Sequence, residues 1–274
     1  MRQVELLHGA ATDVGRVREV NEDSFLAVPP VFAVADGMGG HEGGDVASAI
    51  VAEEFGRLAE QGYDPAQAVD AVRGTLAACQ RRIRAYAEEQ ARQGVERRRS
   101  AGTTVVAALL VEADGEPAWL LANLGDSRIY RFTDGVLDQV STDHSLVQEL
   151  VAAGRIAPEE AATHPERNVI TRALGDAVGV DADYFVLPLA EAERVLLCSD
   201  GVSGMLDDPT IATVLAEAAD PRDAADRLVA AAVVAGGEDN ATAVVVDVVG
   251  VRDVEQYDAE RQRASLEAKL GGRS

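Results

Sequence analysis

The sequence predicts an α+β fold, because strand-like segments cluster together and helix-like segments come in pairs between the clusters. Short runs rich in β-branched residues predict strands within residues 3–14 and 24–35. Apolar side chains then recur at three- and four-residue steps along residues 64–94, which predicts an amphipathic helix after a shorter one at 45–61. Strictly alternating strand–helix–strand units are not indicated by this order.

The same criteria predict the later elements in chain order. A turn at TDGV (133–136) predicts a hairpin, and a short helix is predicted near 145–154 within a mixed segment. The other predicted strands lie at 102–111, 118–124, 127–132, 194–199 and 241–248, and the other helices at 209–219 and 221–235. We expect one domain over residues 1–250, followed by a charged C-terminal helix or tail over residues 251–274.

Composition limits the partners of this 274-residue chain. Its formal net charge of −22 repels phosphate backbones, so we expect no nucleic-acid partner. The N-terminus lacks the pattern of a signal peptide, and no apolar run approaches the length of a membrane span, so we expect a cytoplasmic protein without a membrane partner. Cys79 and Cys198 lie in apolar runs and are interpreted as buried thiols.

Acidic residues recur where predicted strands end. Asp36, Asp126 and Asp200 each follow a strand, and Asp239 precedes one. A single aspartate in such a place is more often a turn residue or a helix cap. If these strands are neighbours, however, the carboxylates converge at one edge and repel one another unless a divalent cation binds. Ligation by oxygen alone favours Mg²⁺ or Mn²⁺ over zinc.

Glycines surround the first of these aspartates in the stretch DGMGGHEGG (36–44). Gly37 has no side chain, so we expect its carbonyl oxygen to approach an ion closely. The following glycines would keep the mouth of the site open for a bulky ligand.

Several stretches resemble the metal-dependent serine/threonine protein phosphatases of type 2C, the PPM family, in the form found in its bacterial branch. They are VREVNEDSF (17–25), VADGMGGHEGGDVAS (34–48), GTTVVAALL (102–110), ANLGDSRIY (122–130), STDHSLVQELVAAGRI (141–156), HPERNVITRALG (164–175), LLCSDGVSGML (196–206) and EDNATAVVV (238–246). The resemblance implies two stacked antiparallel β-sheets with paired helices on both outer faces. It also implies that residues 141–175 form a flap beside the site.

The resemblance implies a metal-binding role for several residues. Asp36 matches the aspartate that bridges two ions, and Gly37 matches the residue whose carbonyl binds one of them. Asp200 and Asp239 match the other carboxylate ligands. Asp126 matches a ligand of a third ion, for which Asn168 is a weaker candidate. Asp23 matches a carboxylate that usually acts through water, and Glu22 accompanies it.

Two residues are candidates for direct contact with the substrate. Arg18 matches the arginine that clamps the substrate phosphate. Met38 occupies the position where many eukaryotic members have a histidine that is proposed as the general acid, so this chain departs from that pattern. His41, three residues later, is the nearest titratable donor on the glycine loop. It either supplies the proton or holds the loop, and we favour the second role.

The expected activity is hydrolysis of phosphoserine and phosphothreonine in proteins by a water activated at a dinuclear Mn or Mg centre, with two or three ions in all. The expected substrates are phosphorylated proteins, products of serine/threonine kinases, and the chain is expected to be a monomer. One alternative is a catalytically silent signalling module of the same family. Another is a phosphatase acting on small phosphate esters.

Overall fold

A computed structural model describes residues 3–39, 43–93, 101–161, 163–175 and 181–252. Two five-stranded sheets, both antiparallel throughout, form its centre. The first sheet has the strand order β1-β12-β11-β8-β9 and the second has the order β10-β7-β6-β3-β2. A third, two-stranded sheet joins β4 to β5.

The strand bounds follow the sequence pattern closely. The first sheet contains β1 (Gln3–Asp13), β8 (Arg128–Thr133), β9 (Val136–Gln139), β11 (Arg194–Cys198) and β12 (Ala241–Arg252). The second contains β2 (Ser24–Val28), β3 (Val31–Ala35), β6 (Val105–Ala113), β7 (Glu116–Leu124) and β10 (Asp183–Pro188). The short strands are β4 (Gly37–Met38) and β5 (Gly102–Thr103).

Helices cover the outer faces of both sheets. The long pair α1 (Gly44–Gln61) and α2 (Ala68–Arg92) packs on the second sheet. On the first sheet lie α5 (Asp200–Ser203), α6 (Asp208–Glu217) and α7 (Pro221–Ala235). The segment between β9 and β10 contains α3 (Leu146–Ala152) and α4 (Pro158–Ala161). Within the described part of the chain, no helix is long and apolar enough to cross a membrane.

The core is divided into three apolar layers. The middle layer lies between the sheets, where Phe32 meets Trp119 edge to face with ring centroids 6.1 Å apart. The two outer layers lie between each sheet and its helices. Strands that are buried on both faces read as continuous apolar runs, which is why β3 and most of β6 and β7 lack polar alternation. This arrangement confirms the expected α+β fold of two stacked antiparallel sheets between helices.

Local signals account for the helix and hairpin ends. Helix α7 begins after Asp220, whose side chain accepts hydrogen bonds from the backbone N–H groups of Arg222 and Asp223. The turn between β8 and β9 places Asp134 and Gly135 at φ values of 52° and 79°, as a tight hairpin requires. The sequence analysis missed two strands, the two-residue β4 and β10 at the edge of the second sheet. Most of the predicted C-terminal tail, residues 253–274, lies outside the described residues.

Candidate active site

Antiparallel pairing brings the ends of several strands together at one end of the sandwich. Asp13 at the end of β1 pairs with Ala241 at the start of β12, and Cys198 at the end of β11 pairs with Ala243. In the second sheet, Ser24 at the start of β2 pairs with Ala35 at the end of β3. The loops that carry the predicted acidic residues therefore leave the sandwich at the same end.

Asp36 directly follows β3 and is held through its backbone. Its carbonyl oxygen accepts hydrogen bonds from the Thr104 N–H (2.9 Å) and the Thr103 hydroxyl (2.8 Å), and its own N–H donates to the Thr104 hydroxyl (3.1 Å). Burial, followed by the nearby charges of Asp23 and Asp200, raises the pKa of the Asp36 carboxyl well above its usual value. The fold thus fixes the main chain of Asp36 and places its side chain among other acids.

Gly37 is required because the backbone around it is crowded. A Cβ at this position would overlap the carbonyl oxygens of Gly44 and Glu22. Its N–H donates to the Glu22 carbonyl at 3.2 Å. The glycine therefore lets β4 pack against the start of α1 and the loop before β2, a reason that the sequence alone did not reveal.

Asp23 lies just before β2 and is held by two hydroxyl groups of the other sheet. Its Oδ2 accepts hydrogen bonds from Ser199 Oγ (2.8 Å) and Thr242 Oγ1 (2.6 Å). Burial, with the neighbouring Asp200 and Asp239, raises the pKa of the Asp23 carboxyl to about 7. The adjacent Glu22 is buried, and its backbone N–H donates to the side chain of Asn240 at 2.9 Å.

Asp200 and Asp239 stand at the facing ends of β11 and β12. Asp200 is the first residue of α5, and burial, with Asp239 as the next cause, raises the pKa of its carboxyl. The charge of Asp200 also contributes to the raised pKa of the Asp36 carboxyl. Asp239 accepts a hydrogen bond from the Asn240 N–H at 2.8 Å.

Asp126 approaches the same group from the loop between β7 and β8. Its side chain is buried, and this burial, with the charges of Asp200 and Asp143, raises the pKa of the carboxyl to about 7. The preceding Gly125 has a φ of 123°, and a Cβ there would meet the Thr104 side chain. Thr104 also shares a 2.7 Å hydrogen bond with Ser127, so one threonine ties the Asp126 loop to Asp36.

The donor set fits a hard cation. Oδ1 atoms of Asp23, Asp126 and Asp200 are buried and make no hydrogen bond within the described part of the chain. Buried carboxylate oxygens in that state are costly unless a proton or a cation reaches them. Nevertheless, no three histidine, cysteine or acidic side chains among the described residues already surround one point as metal ligands do. The carboxylates converge without closing into a coordination shell.

Arg18 lies beside the acidic group, which comprises Asp23, Asp36, Asp126, Asp200 and Asp239. Its Nη2 donates to Asp239 Oδ2 at 2.6 Å, and about half of its side chain is exposed. The structure therefore places the predicted phosphate-binding arginine next to a predicted metal ligand, at the border between the site and solvent. His41 and its neighbours Gly40 and Glu42 lie outside the described residues.

A cavity of about 360 Å³ adjoins the acidic group on the flap side. Asp126 and Asp200 line it from the sandwich, and Asn168 lines it from the flap, where that residue is exposed. Asn168 thus shares a cavity with Asp126, as its candidate role requires.

Among the histidines, His144 is buried: its Nδ1 accepts from the Gly125 N–H at 3.1 Å and its Nε2 contacts Asp183 at 3.1 Å.

The sequence analysis did not single out the hydroxyl groups that hold the acids. Thr103, Thr104, Ser199 and Thr242 are all fully buried and all contact Asp23 or Asp36. A signal was present, because each lies within two residues of one of the motif glycines, aspartates or asparagines. Which hydroxyl meets which acid depends on the stacking of the two sheets.

Comparison with known proteins decides the family. The profile described as Protein phosphatase 2C matches residues 16–234. The chain belongs to the protein phosphatase 2C family. It is 36% identical over 249 residues to the serine/threonine phosphatase stp of Listeria monocytogenes, a match that covers 86% of this chain and 93% of that protein.

Two further relatives of this family are informative. The serine/threonine protein phosphatase PstP of Mycobacterium tuberculosis is 40% identical over 247 residues, which cover 89% of this chain and 45% of that protein. The crystal structure of the catalytic domain of PstP in complex with two manganese ions superposes with a TM-score of 0.73 and 36% identity, over 90% of this chain and 99% of that one. The fold and most of the chain are therefore shared with bacterial serine/threonine phosphatases.

Proposed function

We propose that this chain is a metal-dependent protein phosphatase that hydrolyses phosphoserine and phosphothreonine in proteins, with Mn²⁺ or Mg²⁺ as cofactor. The observation that carries the proposal is the convergence of acidic residues from both sheets at one end of the sandwich, with buried oxygens that lack hydrogen-bond partners. Membership of the protein phosphatase 2C family supports it, as do the phosphatase names of its relatives and the manganese ions bound to PstP.

The proposed ligands follow from the placement of the acids. Asp36, Asp200 and Asp239 would hold two ions, with Asp36 between them and the carbonyl of Gly37 beside it. Asp23 would act on the same pair through water, with Glu22 as a weaker candidate beside it. Asp126 would hold a third ion on the flap side, with Asn168 as a weaker candidate for that ion. When bound, such ions supply a water of lowered pKa and positive charge against the phosphate.

The local sign of charge has to be reversed where the phosphate binds, and one residue of the chain can add to the charge of the ions. The net charge of −22 opposes the approach of a phosphoprotein, so a phosphate needs positive charge at contact range. Arg18 is proposed as the phosphate-binding residue because its planar guanidinium can hold two phosphate oxygens at once. Its present partner is Asp239, so binding would exchange or share that contact.

Several broader properties are proposed on the same basis. The substrates are proteins phosphorylated by serine/threonine kinases, and the enzyme acts as a cytoplasmic monomer without nucleic-acid or membrane partners. The catalytic domain is assigned to residues 1–250, and residues 251–274 are assigned to an appended charged segment.

The decisive experiment compares a phosphothreonine peptide with a sugar phosphate as substrates of the full chain. We expect the peptide to give the higher kcat/KM, with activity lost after exhaustive dialysis against EDTA and restored by Mn²⁺. Full activity after dialysis would contradict the metal-dependent mechanism. Preferred turnover of the sugar phosphate would support an esterase of small molecules, and tight peptide binding without turnover would support a silent signalling module.

A further inference from the structure

A line of hydrogen bonds crosses from the first sheet to Asp23. The Asn21 side-chain amide donates to Thr12 Oγ1 at 2.8 Å, and the hydroxyl groups of Thr12 and Thr242 lie 2.7 Å apart. Thr242 Oγ1 then donates to Asp23 Oδ2 at 2.6 Å. Because the single proton of Thr242 is directed to Asp23, the hydroxyl of Thr12 has to be the donor to Thr242. All donors in this line therefore point toward the carboxylate.

A second hydroxyl group reaches the same oxygen. Ser199 Oγ donates to Asp23 Oδ2 at 2.8 Å and accepts from the Thr242 N–H at 3.0 Å. Ser199 and Thr242 are both fully buried, so neither hydroxyl exchanges its partner for water easily. Two donors on Oδ2 fix the plane of the carboxylate and leave Oδ1, which is buried, without a hydrogen bond.

The donors and the acid belong to different sheets. Thr12 lies on β1, Thr242 on β12, and Ser199 directly after β11, all in the first sheet. Asp23 directly precedes β2, and Asp36 directly follows its partner β3, both in the second sheet. The bonds from Ser199 and Thr242 therefore join the two sheets at the end where Asp36 of one sheet has to face Asp200 and Asp239 of the other.

We infer that Thr242 and Ser199 are positioning residues of the metal centre: by holding Asp23 Oδ2 they direct Oδ1 toward the ions and set the separation of the two sheets at the site. This inference rests on the proposed metal-dependent function. Groups that orient metal ligands typically change metal affinity by about 10- to 100-fold when they are removed. The alternative is that the two hydroxyls only satisfy one another and stabilise the strand ends.

The test is Thr242→Val, which keeps the shape of the side chain and removes the hydroxyl, compared with Thr242→Ser, which keeps the hydroxyl. Titration of the metal-free full chain with Mn²⁺ by calorimetry is expected to show affinity weakened about tenfold or more in Thr242→Val and restored to within about threefold of wild type in Thr242→Ser. Thr12→Val, one bond further away, is expected to weaken the affinity less than Thr242→Val.

Thr75→Val is the matched control. Thr75 is a buried threonine of α2 that donates to the Ala71 carbonyl, so this variant also loses one buried hydroxyl, away from the strand ends. It should bind Mn²⁺ as the wild type does. If Thr242→Val does not fold, as judged by its melting transition, Ser199→Ala removes the other donor and is expected to give the same weakening.

The Mn²⁺ affinities of these variants decide between the inference and its alternative. Wild-type Mn²⁺ affinity in both Thr242→Val and Ser199→Ala would overturn the inference, and so would a Thr242→Ser variant as weak as Thr242→Val. Failure of the proposed function looks different, because the wild-type chain itself would then bind no Mn²⁺ or hydrolyse no phosphopeptide.

Discussion

The acidic group and the flap, residues 141–175, face the same cavity but are held in different ways. Asp23, Asp36, Asp126 and Asp200 each lie within two residues of a strand of the sandwich, and buried hydroxyl groups of neighbouring segments hold the first two. Among its described residues the flap contains the short helices α3 and α4, and most of the described side chains are exposed or partly exposed.

The flap is anchored mainly near its ends. At one end His144 exchanges hydrogen bonds with Gly125. At the other, Leu174 pairs with Thr103, and the Gly175 N–H donates to the Gln80 side chain at 2.7 Å. Changes between these anchors should therefore leave the acidic group in place. The proposed chemistry therefore belongs to the core, and the flap, which lines the cavity from the other side, is the surface most open to variation.

The largest effect is expected for Asp36→Ala, which removes a proposed metal ligand from the acidic group at the core. Because Asp36 is proposed to lie between two ions, the variant should lose at least about 100-fold in kcat on both a phosphopeptide and nitrophenyl phosphate, or about 2.7 kcal/mol of barrier. Asp239→Ala should behave alike. Steady-state kinetics at saturating Mn²⁺, with a melting curve as the control for folding, provide the measurement. A variant that kept more than about a tenth of wild-type kcat would remove Asp36 from the ligand set.

Unlike the flap, the acidic group lowers the stability of the metal-free chain when its buried carboxyl groups ionise. The free energy of unfolding of the metal-free chain should therefore depend on pH. Burial raises the pKa of Asp126 to about 7 from 3.8 in the unfolded chain. Between these values the folded state holds a proton that the unfolded state has lost, so this contribution to stability is complete below pH 4 and disappears as the pH rises through 7.

Asp126→Asn removes this titration because its amide stays neutral. Relative to wild type, the metal-free variant should gain stability as the pH rises from 4 to 8, by on the order of 4 kcal/mol at the upper end. Urea unfolding after EDTA treatment at several pH values measures the difference. Saturating Mn²⁺ should stabilise the wild type at pH 8. A gain that is the same at pH 4 and pH 8 would show that the acid is not held neutral by burial.

A smaller effect is expected where the acidic group meets the flap. Asp126→Ala should leave the ion pair at Asp36 bound but lower phosphoprotein turnover by about tenfold, close to 1.4 kcal/mol, because Asp126 lines the cavity shared with Asn168. Calorimetric titration with Mn²⁺ and kinetics on a phosphoprotein measure the two parts. Loss of the tight pair in this variant would place Asp126 among the ligands of the central ions instead.

Features that depend on nearby residues could be predicted from the sequence. Acidic residues that follow apolar strands are visible in the sequence, and antiparallel pairing brings Asp200 and Asp239 to one edge, so their convergence was foreseeable. Helix α7 was predicted with both ends correct, because Asp220 and Pro221 begin it and Gly236 follows it. In each case the signal lies within a few residues of the feature.

What could not be predicted depends on distant parts of the chain. Strand β10 is an edge strand in which Val186 is 55% exposed, so its burial does not mark it clearly. The bond between Thr242 and Asp23 joins residues that are 219 positions apart and in different sheets. The contact of Arg18 with Asp239 likewise spans 221 positions. Such pairs follow from how the two sheets stack, which no local pattern encodes.

The smallest expected effect concerns His41, on the loop between the core and the substrate. A serine alkoxide is a poor leaving group, and a side chain that delivers a proton accelerates its departure by roughly 10²–10⁴-fold. Met38 has no proton to give, and His41 is the nearest titratable residue on the loop. If the core alone performs the chemistry, His41 only holds the loop, and its loss should affect every substrate alike.

Leaving groups separate these roles, because a nitrophenolate departs without a proton and a serine alkoxide does not. We expect His41→Ala to lower kcat/KM for a phosphopeptide and for nitrophenyl phosphate in proportions that agree within about threefold, or ~0.65 kcal/mol. His41→Asn, which keeps a hydrogen-bonding group, is the matched variant and should recover part of both activities. A defect confined to the phosphopeptide, together with loss of the basic limb of its pH profile, would instead make His41 the general acid and extend the chemistry from the core to the loop.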